Sequence, residues 1–434
     1  MTKFQIILIS ILIAAFIFAA LLFSGIIPWG GKRVGVEKVD LTMWGPFPQE
    51  SVNNFLNSFQ QENRNKFFIT YVEKFPASYK DELLNSMAAG NPPDIWFMTQ
   101  DMVIAYKDKV EKIPFEIFPE REFRDTFIDA GDVFLDKKEN KVIAFPFFVD
   151  PLVLYWNKDL FSSFGIAKSP QSWDEFLVSV ANLTKQDSAG NIIQSGTALG
   201  EFNNVKNAKE IILMMILQTG NPIVTSTDSG VYHLIWNSRV STTLSPAESS
   251  LRFFDEFSNP KKTSYSWNRA MSNSLNMFVK GTLAMYFGYG TEFQDIREKN
   301  PHLNFDVSIV PQIKDAKLRA TFSRIYALAI SKTSAKKQGA FSLIEHLTQK
   351  NYNKKLADKL FISPARRDLF AEGSGDAVMS VFYKSSVMSR TWPEPDSKKV
   401  SEIFQYMVDS TVTGKAKIDE AVEDAGNKLE ELYK

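Results

Sequence analysis

Polar side chains of this sequence stand where predicted strands end, which is where α/β proteins place their ligand-binding groups. Thr99, Gln100 and Asp101 directly follow the apolar run DIWFM, and Asp150 lies between the runs FPFFV and PLVLYW. A carboxylate at such a position can accept hydrogen bonds from a ligand, and two of them in one cleft could work as an acid and base pair. The alternatives are a helix N-cap for Asp101 and a hinge turn before Pro151 for Asp150.

Aromatic side chains in loops form a second set of candidates, because a flat ring can stack on an apolar face of a ligand. Trp44 ends the first predicted strand, although it could instead plug the core under a cleft. Tyr289 lies between two glycines, which suggests either close approach of the backbone or a plain turn. Trp392 lies in a polar stretch that contains proline, where a core tryptophan is less expected. The whole set is Trp44, Phe47, Trp236, Trp267, Tyr289 and Trp392, with Arg324 as a charged candidate.

Composition excludes several other kinds of site. The 434 residues contain 50 basic and 50 acidic side chains, so the formal net charge is zero and no basic surface for nucleic acid is indicated. There is no cysteine, which excludes disulfides, thiolate metal sites, a cysteine nucleophile and an N-terminal lipid on cysteine. The three histidines are far apart in sequence, which disfavours a multi-histidine metal site. We therefore expect neither a metal nor a cofactor.

The N-terminus is membrane-seeking. Residues 4–27 read FQIILISILIAAFIFAALLFSGII and carry no charge. A helix of that length spans about 36 Å, which exceeds the roughly 30 Å of a hydrocarbon core. We expect an uncleaved transmembrane anchor, with a cleaved signal peptide as the alternative. Basic residues flank the segment on both sides, so charge alone does not give its orientation.

The elements that must position these side chains alternate between strand and helix. Val39 to Trp44 reads as a strand, and the next segment has the apolar spacing of an amphipathic helix. A second strand, a second helix and the short run Asp94 to Met98 follow. This βαβαβ order predicts a parallel sheet with helices on its faces. The chain is also longer than a single hydrophobic core supports, so we expect two lobes.

Four stretches carry a resemblance to a known family. They are VDLTMWGPFPQE (39–50), MAAGNPPDIWFMTQD (87–101), AFPFFVDPLVLYWNKDLFSSFGI (144–166), and FVKGTLAMYFGYG (278–290) together with SPARRDLF (363–370). In this order they resemble the extracellular solute-binding proteins of ABC importers, in particular the branch around maltodextrin-binding and other oligosaccharide-binding proteins.

The resemblance implies an α/β, type II periplasmic-binding-protein-like fold of two lobes with the ligand cleft between them, preceded here by the transmembrane helix. It places lobe one at residues 34–150 and 309–350 and lobe two at 151–308 and 351–434, after an anchor and linker at 1–33. Asp101 and Asp150 match ligand-binding acids of the family, and Tyr289 and Trp392 lie where it presents sugar-facing aromatic rings. The stretch from Thr321 to Tyr326 departs from the family pattern, because it is bulky and charged where many members have a glycine-rich turn.

The expected function is therefore capture of an oligosaccharide or related sugar by closure of the lobes, without catalysis, and delivery to the permease of an ABC importer. The binding domain would be extracytoplasmic and held at the membrane through residues 4–27, or secreted if that segment is cleaved. One alternative keeps the fold but binds a peptide, polyamine or anion, or serves a sensor. A carbohydrate-active enzyme is the weaker alternative, with Asp101 and Asp150 as its default carboxylate pair.

Overall fold

The computed structural model describes residues 38–64, 66–227, 230–238 and 245–434. The predicted anchor at residues 4–27 and the linker up to residue 33 lie outside the described residues. Among the helices inside these ranges, none is both long and apolar enough for a membrane span.

Strands and helices alternate along most of the chain. The strands are β1 Val39–Gly45, β2 Phe67–Glu73, β3 Ile95–Thr99, β4 Ile113–Pro114, β5 Leu135–Asp136, β6 Lys141–Val142, β7 Phe145–Asn157, β8 Lys185–Gln186, β9 Ile192–Thr197, β10 Val224–Ser226, β11 Tyr232–Leu234, β12 Leu283–Tyr289, β13 Phe305–Ser308, β14 Thr321–Ile330, β15 Ser363–Pro364 and β16 Ser389–Arg390. The α-helices are α1 Gln49–Glu62, α2 Tyr79–Ala88, α3 Val103–Tyr106, α4 Glu120–Thr126, α5 Lys158–Ser162, α6 Trp173–Leu183, α7 Ala208–Gln218, α8 Pro246–Glu256, α9 Ser274–Val279, α10 Glu292–Lys299, α11 Lys337–Leu347, α12 Lys350–Leu360, α13 Arg367–Glu372, α14 Ala377–Val387, α15 Ser397–Val412 and α16 Ile418–Glu431.

The predicted βαβαβ unit is confirmed at the start of the chain. β1 pairs in parallel with β2 and with β3, and the helices α1 and α2 connect them. The apolar stripe of α1, which comprises Val52, Phe55, Leu56 and Phe59, is buried against this sheet. The carboxyl end of β3 therefore opens at one edge of the sheet, as a ligand site of this class requires.

Two long strands join the two halves of the molecule. β7 is 13 residues long and buried throughout, and it pairs antiparallel with β14 over most of its first half and with β12 over its second half. Arg324 on β14 lies opposite Asp150 on β7 in this register. We call the region where these paired strands pass from one half of the molecule to the other the hinge.

Each lobe has its own hydrophobic core. The core of lobe one runs from Leu41 to Val149 and resumes from Ile325 to Ala365. The core of lobe two runs from Leu152 to Phe322 and resumes at Met379. The chain therefore changes lobe near residues 150, 323 and 370.

The second and third of these changes come later than the predicted boundaries at 309 and 350. Val310 and Phe322 still belong to the core of lobe two, although the predicted boundary at 309 assigned them to lobe one. Helix α12 still packs on lobe one, where the Tyr352 ring lies 4.8 Å from the Phe59 ring and Asn353 donates to the Phe147 carbonyl. Apolar spacing along the sequence does not reveal which core a helix joins.

Candidate ligand cleft between the lobes

A cavity of about 690 Å³ opens between the two lobes, and we call it the interlobe cleft. Lobe one lines it with the start of α2 and the residues that follow β3. The hinge strand β14 contributes Arg324 and Tyr326, and lobe two contributes Pro395 to Lys398 at the start of α15. Both lobes and the hinge therefore contact the same space, which is the arrangement that a closing binding protein needs.

The lobe-one wall is built around Asp101. Its carboxylate accepts hydrogen bonds from the Thr99 hydroxyl and from the Lys80 ammonium, the latter at 2.6 Å. Burial alone would raise the pKa of Asp101, but the charge of Lys80 and these two hydrogen bonds outweigh it and lower the pKa. Asp101 is therefore a fixed carboxylate anion at the cleft surface, and Thr99 lines the cleft beside it.

Gln100 was predicted to bind ligand but is buried, whereas Lys80 was not predicted and lines the cleft. The Gln100 side chain is 4% exposed, and its oxygen accepts the backbone N–H of Ile325 at 3.0 Å, so it ties β3 to the hinge strand. Lys80 lies on the first turn of α2 and lines the cleft, although it was not among the predicted residues. A lysine in a helix with several other charged residues carries no sequence signal for a site.

The floor of the cleft carries a guanidinium held on an aromatic ring. The Arg324 guanidinium lies 4.2 Å from the centre of the Tyr289 ring and donates to the Tyr326 hydroxyl at 3.3 Å. Tyr289 itself is 3% exposed and packs beneath Arg324. A Cβ atom on Gly288 would lie 2.5 Å from the Tyr286 ring, so this glycine is explained by close packing of aromatic rings.

Asp150 is buried completely at the hinge. It accepts hydrogen bonds from the Thr291 backbone N–H at 3.0 Å and the Thr291 hydroxyl at 2.7 Å, and so connects β7 to the start of α10. Burial raises the pKa of Asp150 to about 6, although Arg324 and Thr291 oppose the shift. These contacts give Asp150 a structural role between β7 and α10, and its role as a ligand-binding acid stays a prediction.

A second lysine–carboxylate pair supports the lobe-two wall. Lys209 on α7 and Glu394 lie 2.5 Å apart, with 8% and 3% of their side chains exposed. Burial raises the pKa of Glu394 to about 7 against the opposing charge of Lys209. Glu394 directly precedes the cleft-lining residues Pro395 to Lys398, so the pair fixes this segment. Neither residue was predicted, because Lys209 opens a helix that is otherwise almost wholly apolar.

Three tryptophans predicted to contact ligand are placed in the core of lobe two instead. Trp236, Trp267 and Trp392 are 1%, 0% and 2% exposed. Trp236 packs against Phe404, and the Trp267 indole N–H donates to the Asn204 side-chain oxygen at 2.9 Å. Their polar surroundings in the sequence are covered by segments that are distant along the chain, so local composition gave a misleading picture of their exposure.

Trp44 and Phe47, which were predicted to contact ligand, are not among the residues that line the cleft. Phe47 is 7% exposed and makes edge-to-face contacts with Phe97, Phe148 and Tyr326 in the core of lobe one. Trp44 is partly buried, with the Lys74 ammonium 4.0 Å from its ring centre. Phe47 therefore supports the cleft residue Tyr326 from beneath.

The described residues contain no cluster of carboxylate and histidine side chains suited to a metal ion. Within the ranges that the structure describes, no three side chains of His, Asp or Glu are placed to hold one metal ion.

Comparison with known proteins agrees with this architecture. The family model for bacterial extracellular solute-binding proteins matches residues 54–379. A protein of Brucella abortus (strain 2308) named as a binding protein is 22% identical over 376 residues, which cover 81% of this chain and 82% of that protein.

Solved structures with the same fold include two proteins described as sugar-binding. The sugar-binding protein MalE of Xanthomonas citri has a TM-score of 0.72 and 18% identity, over 91% of this chain and 97% of its own. The cyclic α-maltosyl-1,6-maltose binding protein of Arthrobacter globiformis has a TM-score of 0.73 and 15% identity, over 91% and 99%. With three quarters of its length matched by the family model and a two-lobe α/β fold around a cleft, the chain belongs to the bacterial extracellular solute-binding proteins.

Proposed function

We propose that this chain captures an oligosaccharide or related sugar outside the cytoplasm and delivers it to the permease of an ABC importer. The observation that carries the proposal is the interlobe cleft, which is lined by both lobes and by the hinge between them. Its volume of about 690 Å³ lies within the range typical of ligand pockets. The sugar-binding proteins of similar fold support the choice of solute.

The lining suits a sugar in its chemistry. Tyr79, Tyr106 and Tyr326 line the cleft with aromatic side chains that are 6–8% exposed in this conformation, and they can contact the apolar faces of sugar rings. Asp101 provides an acceptor for hydroxyl groups, and Arg324 and Lys80 provide donors. These polar groups are held by neighbouring side chains before a ligand arrives, which lowers the entropy cost of binding.

Closure of the lobes would follow from the hinge. Each lobe has its own core, so each can move as a rigid body about the few residues where β7 and β14 cross. Asp150 at this crossing is tied to the start of α10 in lobe two by the hydrogen bonds from Thr291. Small-angle scattering should show a smaller radius of gyration with saturating ligand than without it, and an unchanged radius would contradict closure.

Residues 4–27 would hold the binding domain at the extracytoplasmic face of the membrane. An uncharged apolar run of this length is long enough to span a bilayer. Cell fractionation should recover a chain that still begins at Met1 in the membrane fraction. A released chain that begins near residue 25 would instead show that the segment is a cleaved signal.

The carboxylates of the site favour binding without turnover. Asp150 has no exposed surface and both of its oxygens are engaged by Thr291, so it cannot reach a glycosidic oxygen in this conformation. Asp101 is held as an anion by Lys80 and does not resemble a general acid with a raised pKa. In this conformation the Asp101 and Asp150 pair therefore offers no exposed general acid, which supports binding without turnover.

A ligand screen tests the proposal directly. The full-length chain in detergent should show a raised Tm with one or more saccharides, because a ligand of the native state stabilises it by mass action. Calorimetry should then give a stoichiometry of about one, and chromatography should recover the sugar intact. Stabilisation only by peptides, polyamines or simple anions, or cleavage over many cycles, would refute the proposed function.

A further inference from the structure

Arg324 is fixed in position at the floor of the interlobe cleft. Its guanidinium stacks on the Tyr289 ring at 4.2 Å, and its Nη1 donates to the Tyr326 hydroxyl at 3.3 Å. The side chain still has 37% of its surface exposed, and it is part of the cleft lining. The guanidinium therefore presents its remaining N–H groups from a position that is set before any ligand arrives.

The positive charge of Arg324 is only partly compensated. The nearest carboxylate oxygen is Oδ2 of Asp150 at 3.8 Å, which is beyond hydrogen-bonding distance. Both oxygens of that carboxylate already accept hydrogen bonds from Thr291. Among the described residues, no other acidic side chain forms an ion pair with Arg324.

The other charged groups of the cleft already have partners or lie at its rim. Lys80 is paired with Asp101 at 2.6 Å. The carboxylate of Asp396 caps helix α15 by accepting two backbone N–H groups, and Asp81 and Lys398 are exposed. Behind the lobe-two wall, Lys209 is paired with Glu394 and also lies 3.5 Å from the Glu210 carboxylate, so this cation is not left unpaired. Arg324 is thus the deep charged group with unused donors.

We propose that the solute is an acidic oligosaccharide, one whose sugar carboxylate pairs with the Arg324 guanidinium. A planar guanidinium matches a carboxylate in two parallel hydrogen bonds, which a neutral hydroxyl cannot reproduce. The cleft of about 690 Å³ with its tyrosine walls is far larger than a simple carboxylate requires, so the carboxylate belongs to a sugar. This inference rests on the proposed function and specifies its ligand.

The test compares each acidic oligosaccharide with its own methyl ester, which keeps the sugar rings and removes the charge. Galacturonate, mannuronate and glucuronate oligomers of two to four units are titrated into the full-length chain in detergent at pH 7. We expect at least one acid to bind about tenfold more tightly than its ester, a difference of about 1.4 kcal/mol.

Variants then assign the preference to the guanidinium. Arg324→Gln should reduce the ratio of acid to ester affinity to about one, because loss of the guanidinium weakens binding of the acid more than binding of the ester. Arg324→Lys keeps the charge but lacks the planar fork, so the ratio should fall to an intermediate value. The matched control is Arg297→Gln, which removes an exposed arginine that stacks on Phe293 in lobe two, and it should leave the ratio unchanged.

The possible outcomes separate this inference from the function on which it rests. If neutral sugars bind and no acid binds more tightly than its ester, the acidic ligand is refuted and the sugar-binding function stands. If Arg324→Gln keeps the full ratio with an unchanged Tm, the carboxylate is bound elsewhere and the inference is wrong. If no saccharide of either kind binds while another solute does, the proposed function itself fails.

Discussion

Two lysine–carboxylate pairs lie on opposite walls of the interlobe cleft, and the pKa values of their carboxyl groups are shifted in opposite directions. Lys80 and Asp101 on lobe one are 2.6 Å apart, and Lys209 and Glu394 on lobe two are 2.5 Å apart. The pKa of Asp101 is nevertheless lowered, whereas the pKa of Glu394 is raised to about 7. Distance between the charges therefore does not decide the behaviour of the pair.

Neighbouring charges and hydrogen bonding make the difference. Burial raises the pKa of each carboxyl group, but the Thr99 hydroxyl and Lys80 lower the pKa of Asp101, whereas the negative charges of Asp101 and Glu210 raise the pKa of Glu394 further. The lobe-one pair also keeps 38% and 16% of its side chains exposed, against 8% and 3% in lobe two. The charged groups of the lobe-one pair are thus accessible to a ligand, whereas the buried lobe-two pair stabilises the conformation of its own wall.

The largest effect should come from buried aromatic rings in the core of lobe two. Trp267→Ala and Trp392→Ala should each lower the free energy of unfolding by about 3–5 kcal/mol, because each removes a fully buried indole and leaves a cavity. Urea unfolding followed by circular dichroism measures this loss. A weaker ligand affinity with unchanged stability would instead place these rings in the binding site.

Phenylalanine variants sharpen the same comparison. The Trp267 indole N–H donates to the partly buried Asn204 side chain, so Trp267→Phe should lose this hydrogen bond and cost about 1 kcal/mol beyond the change of ring. In the described part of the chain the Trp392 indole nitrogen has no hydrogen-bond partner, so Trp392→Phe should be milder. Equal costs for the two substitutions would contradict this assignment.

Removing one lysine from each pair should give the next largest difference. Lys209→Met should cost about 3 kcal/mol, at the low end for a broken buried pair because Glu394 can take up a proton near neutral pH. Lys80→Met should cost about 1 kcal/mol or less, since its pair is partly exposed.

A double substitution provides the control for that experiment. Lys209→Met combined with Glu394→Leu removes both charges and should recover much of the stability lost in the single variant. Equal losses for Lys209→Met and Lys80→Met in denaturant titrations would show that the two pairs do not differ as we describe.

Much of the lobe-one wall could be predicted from sequence because it is formed by strands, helices and loops that follow one another along the chain. The alternation of apolar residues gave β1, α1, β2, α2 and β3, and parallel strands place their carboxyl ends at one edge. Thr99 and Asp101 follow directly from that topology and do line the cleft. Residues just after a buried parallel strand are therefore good candidates even without any knowledge of the fold around them.

The lobe-two wall could not be predicted in this way because it is assembled from distant segments. Trp236 packs on Phe404, and Lys209 meets Glu394, which stands near the C-terminal helices. Tryptophans in polar stretches therefore resembled ligand platforms, although tertiary contacts bury them. Gln100 shows the same limit in lobe one, since its partner is the distant backbone N–H of Ile325.

The pH dependence of stability should separate the two carboxylates. Between pH 4.5 and about 7 the folded chain keeps a proton on Glu394 that the unfolded chain has released. The free energy of unfolding should therefore fall as the pH rises through this window, by on the order of 2 kcal/mol from this group. The lowered pKa of Asp101 has the opposite effect on the pH dependence. Its ionised form stabilises the folded chain at neutral pH, and this stabilisation is lost only as the pH falls below about 4.

Glu394→Gln provides the control for the pH experiment. The variant should show a flatter curve than the wild type between pH 4.5 and 7, because it lacks the titrating group. Chemical unfolding at half-unit steps of pH measures both curves. A wild-type slope that Glu394→Gln leaves unchanged would assign the titration to another buried acid, such as Asp150, whose pKa burial raises to about 6.

The smallest effect should appear in ligand affinity and not in stability. Asp101→Asn removes the anionic acceptor on the lobe-one wall and should raise the Kd for the best-binding sugar about tenfold, which corresponds to about 1.4 kcal/mol. The amide keeps the size of the side chain, and the partly exposed Lys80 can be solvated after its partner is lost. The free energy of unfolding should therefore change by less than about 1 kcal/mol.

Glu394→Gln should show the reverse pattern, with a changed stability and a Kd within about twofold of wild type, because its side chain is 3% exposed and does not reach the ligand. Calorimetric titration and urea unfolding of both variants at pH 7 decide the matter, and a larger loss of affinity for Glu394→Gln would exchange the roles of the two walls.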